Sequence, residues 1–226
     1  MTESVRVATT DPWTFSHSGG AGPKGVILTV VHGDTATQLT STVTYGGSSL
    51  SSIQMNQDTL TEPGRSEVWF LGSSVPTGTQ TVSVDLTSAT VTDIQFVCIT
   101  LNGSANLEIV DQDGITISAT QANPTVTLNY GGRECMSIGA LYWGGATPPG
   151  ATGLASGCEE VFGEDLGAWV AEVMRQSTPG TSDFQIGYTT LAADDVAFSA
   201  VAVAEVAAAA TSLITSTGFP SALMVQ

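Results

Sequence analysis

Basic side chains are scarce in this sequence of 226 residues: five Lys and Arg face 21 Asp and Glu, giving a net charge of −16. The five bases are Arg6, Lys24, Arg65, Arg133 and Arg175. Nucleic acids and anionic lipid headgroups are bound by clustered Lys and Arg, which five scattered bases do not supply. We therefore expect neither direct nucleic-acid binding nor a membrane partner.

Cysteine and histidine are also rare. Cys98, Cys135 and Cys158 form an odd set without CxxC spacing, which predicts buried free thiols rather than a zinc site or a disulfide framework. His17 and His32 lie in turn-like sequence, where exposed histidines are common, and no GxSxG motif offers either of them a nucleophile. The sequence thus predicts no catalytic residue, no metal site and no cofactor.

Long apolar runs are missing as well. The most apolar segment, 196–210, is 15 residues long and contains Ser199 and Glu205, whereas a membrane-spanning helix needs about 18 to 20 apolar residues. The first residues, MTESVRVATTDPWTF, lack the apolar core of a secretory signal. We therefore expect a soluble protein.

Short strand-like runs are what the sequence has in abundance. They occur at 25–31, 40–47, 67–71, 79–86, 93–101, 107–110, 115–120, 125–130 and 137–143. Gly46-Gly47, Asn102-Gly103 and Asp113-Gly114 offer the positive φ values of tight turns between them. Strands of this length separated by turn residues predict an all-β sandwich or barrel. FVCITL and FSAVAVA are apolar on both faces, which places them in the middle of the molecule.

The segment EDLGAWVAEVMRQ is ambiguous. Leu166, Trp169, Val170, Val173 and Met174 follow the spacing of an amphipathic helix. The same residues also fit a strand, and the internal glycine weakens the helix.

Two groups of acidic residues resemble functional motifs. Asp111-Gln112-Asp113-Gly114 resembles the start of a calcium loop, but Ala122 stands where such a loop needs Glu, so an acidic turn between strands is favoured. The acids of 159–165 and 194–195 are dense enough for a glycosidase pair, although solvated loop charge is the better interpretation.

The four tryptophans divide into two pairs. Trp69 and Trp169 lie within apolar runs and are predicted to be core residues. Trp13 and Trp143 are predicted to be the more exposed pair, with Trp143 as a candidate glycan contact because aromatic faces stack on sugars.

Several stretches together resemble a recurrent jelly-roll-like β-sandwich module of structural proteins in tailed bacteriophages. They are FSHSGGAGPKGVILTVV, STVTYGGSSL, EVWFLGSSVPTGTQTVSVDLTS and DIQFVCITLNG between residues 15 and 103, followed by SIGALYWGG, AWVAEVMRQ, FQIGYTT and VAFSAVAVAEV. In this resemblance AWVAEVMRQ corresponds to a closing strand, which favours a strand at 168–175. The motifs are turn and strand patterns, so they specify fold better than role.

The resemblance implies a virion protein assembled in the host cytoplasm, not an enzyme. A capsid decoration (cement) subunit is the leading expectation, with the major capsid protein or other virion proteins as partners and with self-association into a homo-oligomer. A glycan-binding module of a tail, fibre or baseplate is the alternative. A hydrolase using an acid among Glu159, Glu160, Glu164 and Asp165 is the third hypothesis.

The expected organisation is an N-terminal arm at 1–14, an antiparallel jelly-roll-like β-sandwich with short or no helices at 15–206, and an extended C-terminal arm at 207–226. Apolar residues on an arm need a partner to bury them, so we expect the interface residues there. The interface candidates are Trp13, Phe15, Leu213, Ile214, Phe219 and Leu223.

Overall fold

A computed structural model of the protein describes residues 5–7, 12–33, 40–58, 64–87, 94–116, 120–145, 149–166 and 169–207. Within these ranges every regular element is a β-strand, and no helix is present that could cross a membrane. The strand pairings are antiparallel throughout the same ranges. The all-β, antiparallel prediction is confirmed.

The first half of the chain forms two sheets. Its strands are β1 (Val5–Val7), β2 (Trp13–Ser18), β3 (Gly25–Gly33), β4 (Thr40–Tyr45), β5 (Ser48–Ser49), β6 (Ser51–Gln57), β7 (Gly64–Leu71), β8 (Thr79–Leu86) and β9 (Ile94–Leu101). Strands β1-β9-β3-β7-β6 form the N-sheet, and β2-β8-β4-β5 form the smaller N-cover. The tight turn expected at Gly46-Gly47 joins β4 to β5, with φ values of 55° and 81°.

The second half of the chain likewise forms one five-stranded sheet and one smaller sheet. Its strands are β10 (Leu107–Thr116), β11 (Thr125–Leu128), β12 (Cys135–Trp143), β13 (Cys158–Asp165), β14 (Val170–Gln176), β15 (Phe184–Gly187) and β16 (Val196–Glu205). Strands β10-β16-β12-β14-β13 form the C-sheet, and β11-β15 form the C-cover. The strand favoured at 168–175 is therefore confirmed by β14, and the helical interpretation is wrong.

The four sheets stack in the order N-cover, N-sheet, C-sheet, C-cover. One apolar cluster joins the N-sheet to the C-sheet, a second joins the N-sheet to the N-cover, and a third joins the C-sheet to the C-cover. The two central sheets are thus covered on both faces, which explains why β9 and β16 are apolar at almost every position. Strand β8 belongs to an outer layer, and Val82, Val84 and Leu86 turn inward as its alternation predicts.

Two glycines set the contact between the central sheets. Gly33 and Gly64 lie opposite each other on β3 and β7. A Cβ at Gly33 would overlap the Trp169 ring, and one at Gly64 would overlap the ring of Tyr142. These rings pack against each other with centroids 5.3 Å apart. The two glycines therefore leave the space into which the Trp169 and Tyr142 rings pack.

A buried polar network also joins the central sheets. Asn56 donates to the Phe198 carbonyl at 2.8 Å and to Ser199 Oγ at 2.9 Å. Ser199 Oγ in turn donates to the Ser66 carbonyl at 2.8 Å. Because each buried polar group finds a partner only in one register, the network fixes how the two sheets align.

The turn expected at Asp113-Gly114 is wrong. Strand β10 continues through both residues, which pair with Ala200 and Ser199 of β16. The glycine is needed for close packing rather than for a turn, because a Cβ at Gly114 would overlap the Asn56 side chain. The acidic turn that was favoured over a calcium loop at Asp111-Gln112-Asp113-Gly114 is therefore also wrong, because these residues belong to strand β10.

The predicted arms lie mainly outside the described residues. Residues 208–226 are not described, and the N-terminal segment is described only at β1 and from residue 12 onward. Strand β2 begins at Trp13 and pairs with β8, so Trp13 and Thr14 belong to the N-cover. The domain boundaries otherwise stay a prediction.

Candidate functional site

The N-terminal interface candidates lie in the N-cover. Trp13 is only 1% exposed, packed in the cluster between the N-cover and the N-sheet. Phe15 is half-buried and stacks on Phe96 with ring centroids 6.0 Å apart. The expected exposure of Trp13 is wrong, since β2 turns the indole toward the N-sheet. The C-terminal candidates Leu213, Ile214, Phe219 and Leu223 lie outside the described residues.

The expected exposure of Trp143 is wrong as well. The side chain is 9% exposed and packs in the cluster between the C-sheet and the C-cover. The glycan contact proposed for it therefore has no open aromatic face. Trp69 and Trp169 are buried, as their apolar surroundings predicted.

Both histidines are buried, contrary to the expectation of exposed turns. His17 Nε2 lies 2.6 Å from Thr100 Oγ1, a hydrogen bond between the N-cover and the N-sheet. His32 Nε2 lies 4.0 Å from Glu67 Oε1, and Arg65 Nη1 lies 3.5 Å from the same oxygen. Burial, with the Arg65 charge second, lowers the pKa of His32 to about 3, so this imidazole is neutral. The Thr100 hydroxyl beside His17 is itself buried, so this pair is not open to a substrate.

Glu67 supplies the carboxylate of the buried group that it forms with His32 and Arg65. Its Oε2 accepts a hydrogen bond from Trp69 Nε1 at 2.8 Å. Burial raises the pKa of Glu67, while the bond from Trp69 and the Arg65 charge oppose that rise. The arrangement is a desolvated ion pair inside the N-sheet rather than an open site.

The three cysteines are free thiols, as predicted: Cys98 and Cys135 are buried and Cys158 is half-buried. Burial raises the pKa of all three thiols, so none is an activated nucleophile.

The acids of 159–165 lie on strand β13, so their interpretation as loop charge is wrong. This strand is an edge of the C-sheet, paired with β14. Glu159 forms an ion pair with Arg175, which lies directly opposite on β14. Of the second acidic group, Asp195 is buried.

A β-bulge in β13 brings Glu160 next to a carboxyl group that the sequence analysis missed, that of Glu172. The register shifts between Glu160 and Phe162, so Glu160 pairs with Met174 while Gly163 pairs with Glu172. Directly paired residues point to the same face, and Glu172 and Met174 share a face of β14. The bulge therefore turns Glu160, Gly163 and Glu172 to one side.

The two carboxyl groups converge above Gly163. A Cβ at that position would stand 2.7 Å from both oxygens of Glu172 and 2.8 Å from Glu160 Oε1. Their oxygens therefore lie no further apart than about twice that distance. Glu160 is exposed, whereas Glu172 is 0% exposed. A glycine at 163 is what leaves room for both groups.

The buried Glu172 carboxyl group forms few hydrogen bonds, and the one from the Gly150 amide is long. The Gly150 amide donates to its Oε1 at 3.3 Å, and Oε2 has no hydrogen-bond partner among the described residues. The Tyr188 hydroxyl also contacts this carboxyl, while donating to the Gly150 carbonyl at 2.9 Å. Burial and then the Glu160 charge raise the pKa of Glu172 to about 8, so its neutral form is favoured below that pH.

A cleft of about 640 Å³ opens at the end of the central sandwich where β9 ends and β12 begins. Its walls combine apolar side chains with two bases and two acids, Arg133, Arg175, Glu134 and Glu205, and Ala207 lies on it, two residues beyond the end of β16. Arg133 donates to the Glu108 carboxylate at 2.7 Å and also to the Glu205 carbonyl. The chain enters the undescribed segment 208–226 from this cleft.

Comparison with protein-family models, with curated proteins and with solved structures finds no match for this chain. Among the described residues, no three His, Cys, Asp or Glu gather into a group that could hold a metal ion.

Proposed function

We propose that the protein is a structural subunit of a bacteriophage virion, in the first place a decoration subunit that binds the head shell and stabilises it. The support is the resemblance of its strand and turn patterns to the jelly-roll-like module of such proteins, together with an acidic, hydroxyl-rich composition. The proposal includes a jelly-roll-like topology, a location in the virion, capsid proteins as partners and self-association into a homo-oligomer.

One observation carries it: the segment after Ala207 is anchored to a central strand. Strand β16 lies between β10 and β12 and is buried at all but its last residue. It ends beside the cleft that Arg133 and Arg175 line. Residues 208–226 contain no charged side chain, in a protein of net charge −16. An uncharged segment that directly follows a central, buried strand is suited to bind an adjacent subunit.

A subunit that binds only the assembled shell stabilises it by mass action, with a free energy set by its concentration relative to Kd. No chemistry is required of such a subunit. The buried His32, Arg65 and Glu67 group fits this role, because it lies inside the N-sheet and is closed to a substrate.

The test compares the full chain with a variant ending at Ala207 and a second variant whose residues 208–226 are scrambled. Circular dichroism and thermal unfolding check that the described body still folds. Particles of the source are then separated on a density gradient, and mass spectrometry counts copies of each chain per particle. We expect high copy number for the full chain only. Equal occupancy by all three chains contradicts the role of the segment, and absence of the full chain from particles contradicts the virion proposal.

The glycan-binding alternative predicts measurable binding on a glycan array by the same full chain. Because Trp143 is buried, loss of binding in a Trp143→Ala variant would have to be separated from unfolding. The alternative therefore does not include stacking of a sugar on an exposed Trp143 ring.

A further inference from the structure

The loop that joins β9 to β10 contains an Asn-Gly pair at residues 102 and 103. Both residues are exposed, and Asn102 lies on the wall of the cleft. We propose that Asn102 is a site of spontaneous deamidation, at which the backbone nitrogen of Gly103 and then water convert the side-chain amide into a carboxylate.

The reaction needs a free backbone nitrogen next to a free carboxamide. The nitrogen of Gly103 attacks Cγ of Asn102, so an N–C bond forms and the bond from Cγ to Nδ2 breaks. Ammonia leaves with the proton of the Gly103 amide, and a succinimide ring remains. Water then opens this ring at either carbonyl, which gives aspartate or isoaspartate at position 102. The net change replaces NH2 by OH and requires no oxidant or reductant.

Glycine is the residue that hinders this attack least. It has no Cβ beside the attacking nitrogen, and it reaches backbone conformations that other residues avoid. Of the five asparagines in the sequence, Asn102 is the one that precedes a glycine. Sequence alone therefore ranks Asn102 first, and the fold decides whether the reaction proceeds in the native chain.

The fold leaves both reacting groups of this pair unbonded. Neither the Asn102 side chain nor the Gly103 amide forms a hydrogen bond with another described residue. The next hydrogen bonds along the loop begin one residue later, where the amide and the hydroxyl of Ser104 donate to the Glu205 carboxylate. The attacking nitrogen therefore does not have to break a hydrogen bond within the described part of the chain.

Two of the other asparagines have carboxamides that the fold holds in place. Asn56 is buried, and its Nδ2 donates to the Phe198 carbonyl and to Ser199 Oγ. Asn123 Oδ1 accepts a hydrogen bond from the Leu191 amide at 2.7 Å, and the residue that follows it is a proline, which has no N–H. A carboxamide held in this way has to break its hydrogen bonds before it can turn toward the next backbone nitrogen.

At the remaining two asparagines the attacking nitrogen is occupied. The Leu107 amide, which follows Asn106, donates at 2.9 Å to the carbonyl of the residue that comes directly after β7. The Tyr130 amide, which follows Asn129, donates to Asp183 Oδ1 at 3.0 Å. Because breaking such a bond costs about 1 kcal/mol, both sites are slowed relative to Asn102.

The new carboxylate changes the charge of the cleft. The cleft walls hold two arginines and two glutamates, and Asn102 is a neutral residue among them. Deamidation adds one negative charge to this wall, on which Ala207 also lies at the start of the segment 208–226. The reaction is independent of the virion role proposed above, because it needs only the loop and water.

The experiment incubates the full chain at mildly alkaline pH, once folded and once unfolded in urea, and follows each asparagine by peptide mass spectrometry. Conversion is measured as the mass gain from amide to acid, and isoaspartate is separated by its chromatographic retention. Asn102→Gln is the matched control, because it keeps an exposed carboxamide but moves it one methylene away from the backbone. Gly103→Ala tests the attacking residue, with circular dichroism as the check that this variant folds.

We expect Asn102 to convert in the folded chain at least about tenfold faster than any other asparagine, which corresponds to about 1.4 kcal/mol in the barrier. Its rate should be nearly the same in the folded chain and in urea. Asn102→Gln should show no conversion at position 102, and Gly103→Ala should convert more slowly than the wild type.

Three results would each overturn the proposal. The first is a rate at Asn102 in the folded chain no higher than at the other asparagines. The second is a rate at Asn102 that drops by about tenfold or more on folding, which would mean an added barrier of about 1.4 kcal/mol from the fold. The third is equal conversion in the wild type and in Gly103→Ala.

Discussion

Replacing Glu172 by Gln should remove a loss of stability that the wild-type chain suffers as the pH rises. The carboxyl is fully buried, beside Glu160, Tyr188 and the Gly150 amide. Its folded pKa of about 8 lies above the ordinary value of 4.5. Between these two values the unfolded chain has released a proton that the folded chain still holds, so stability falls as the pH rises.

The size of the effect follows from the two pKa values. One pKa unit corresponds to about 1.4 kcal/mol, and linkage between pH 5 and pH 8 gives a loss of about 3 to 4 kcal/mol from this one group. Gln has the shape of the protonated side chain and does not titrate. At 2 to 4 °C per kcal/mol for a chain of this size, the Tm of the variant should exceed that of the wild type by roughly 10 °C at pH 8, while the two nearly agree at pH 5.

Differential scanning calorimetry across this pH range measures the difference between the two chains. Tyr188 and Cys158 have pKa values raised by burial, so neither titrates in the window. Glu160→Gln removes the neighbouring charge and should weaken the pH dependence without abolishing it. A Tm difference between wild type and E172Q that stays constant from pH 5 to pH 8 would refute the reasoning.

Two further predictions concern the packing of the N-sheet. Gly64→Ala places a Cβ in the Tyr142 ring and should cost about 2 kcal/mol or more in urea unfolding, whereas Gly22→Ala, with open space around it, should change little; equal stability of the two variants would contradict the close contact. Glu67→Ala removes the partner of buried Arg65 and the acceptor of Trp69 Nε1, and should cost about 3 to 5 kcal/mol in the same assay. Glu67→Gln should cost less because an acceptor remains, and a Glu67→Ala loss below about 1 kcal/mol would rule out the buried pair.

The contacts between the two halves of the chain could not be predicted from the sequence pattern within single segments. The alternation of β8 and the apolar runs of β9 and β16 predicted strands and their burial, because these signals come from neighbours within one segment. Asp113-Gly114 has the chemistry of a turn, yet Asn56 approaches this glycine from a strand 58 residues earlier in the chain. Sequence periodicity holds no information about such a contact.

The carboxyl pair shows the same limit at the candidate site. Glu160 was noted as one of several acids, but Glu172 stands inside an apolar strand and carried no signal of its own. Their meeting depends on one extra residue in β13, and a bulge of that kind leaves no fixed pattern in a single sequence.

The sequence by itself determined the all-β class, the Gly46-Gly47 turn, the free thiols and the burial of Trp69 and Trp169. Local alternation, turn chemistry and composition suffice for these, since each reflects a choice made within a few residues. Only the tertiary structure decided that Trp13, Trp143 and both histidines are buried and that Glu160 faces Glu172. The physical reason is that burial depends on which other sheet covers a face, and that covering strand comes from a distant part of the chain.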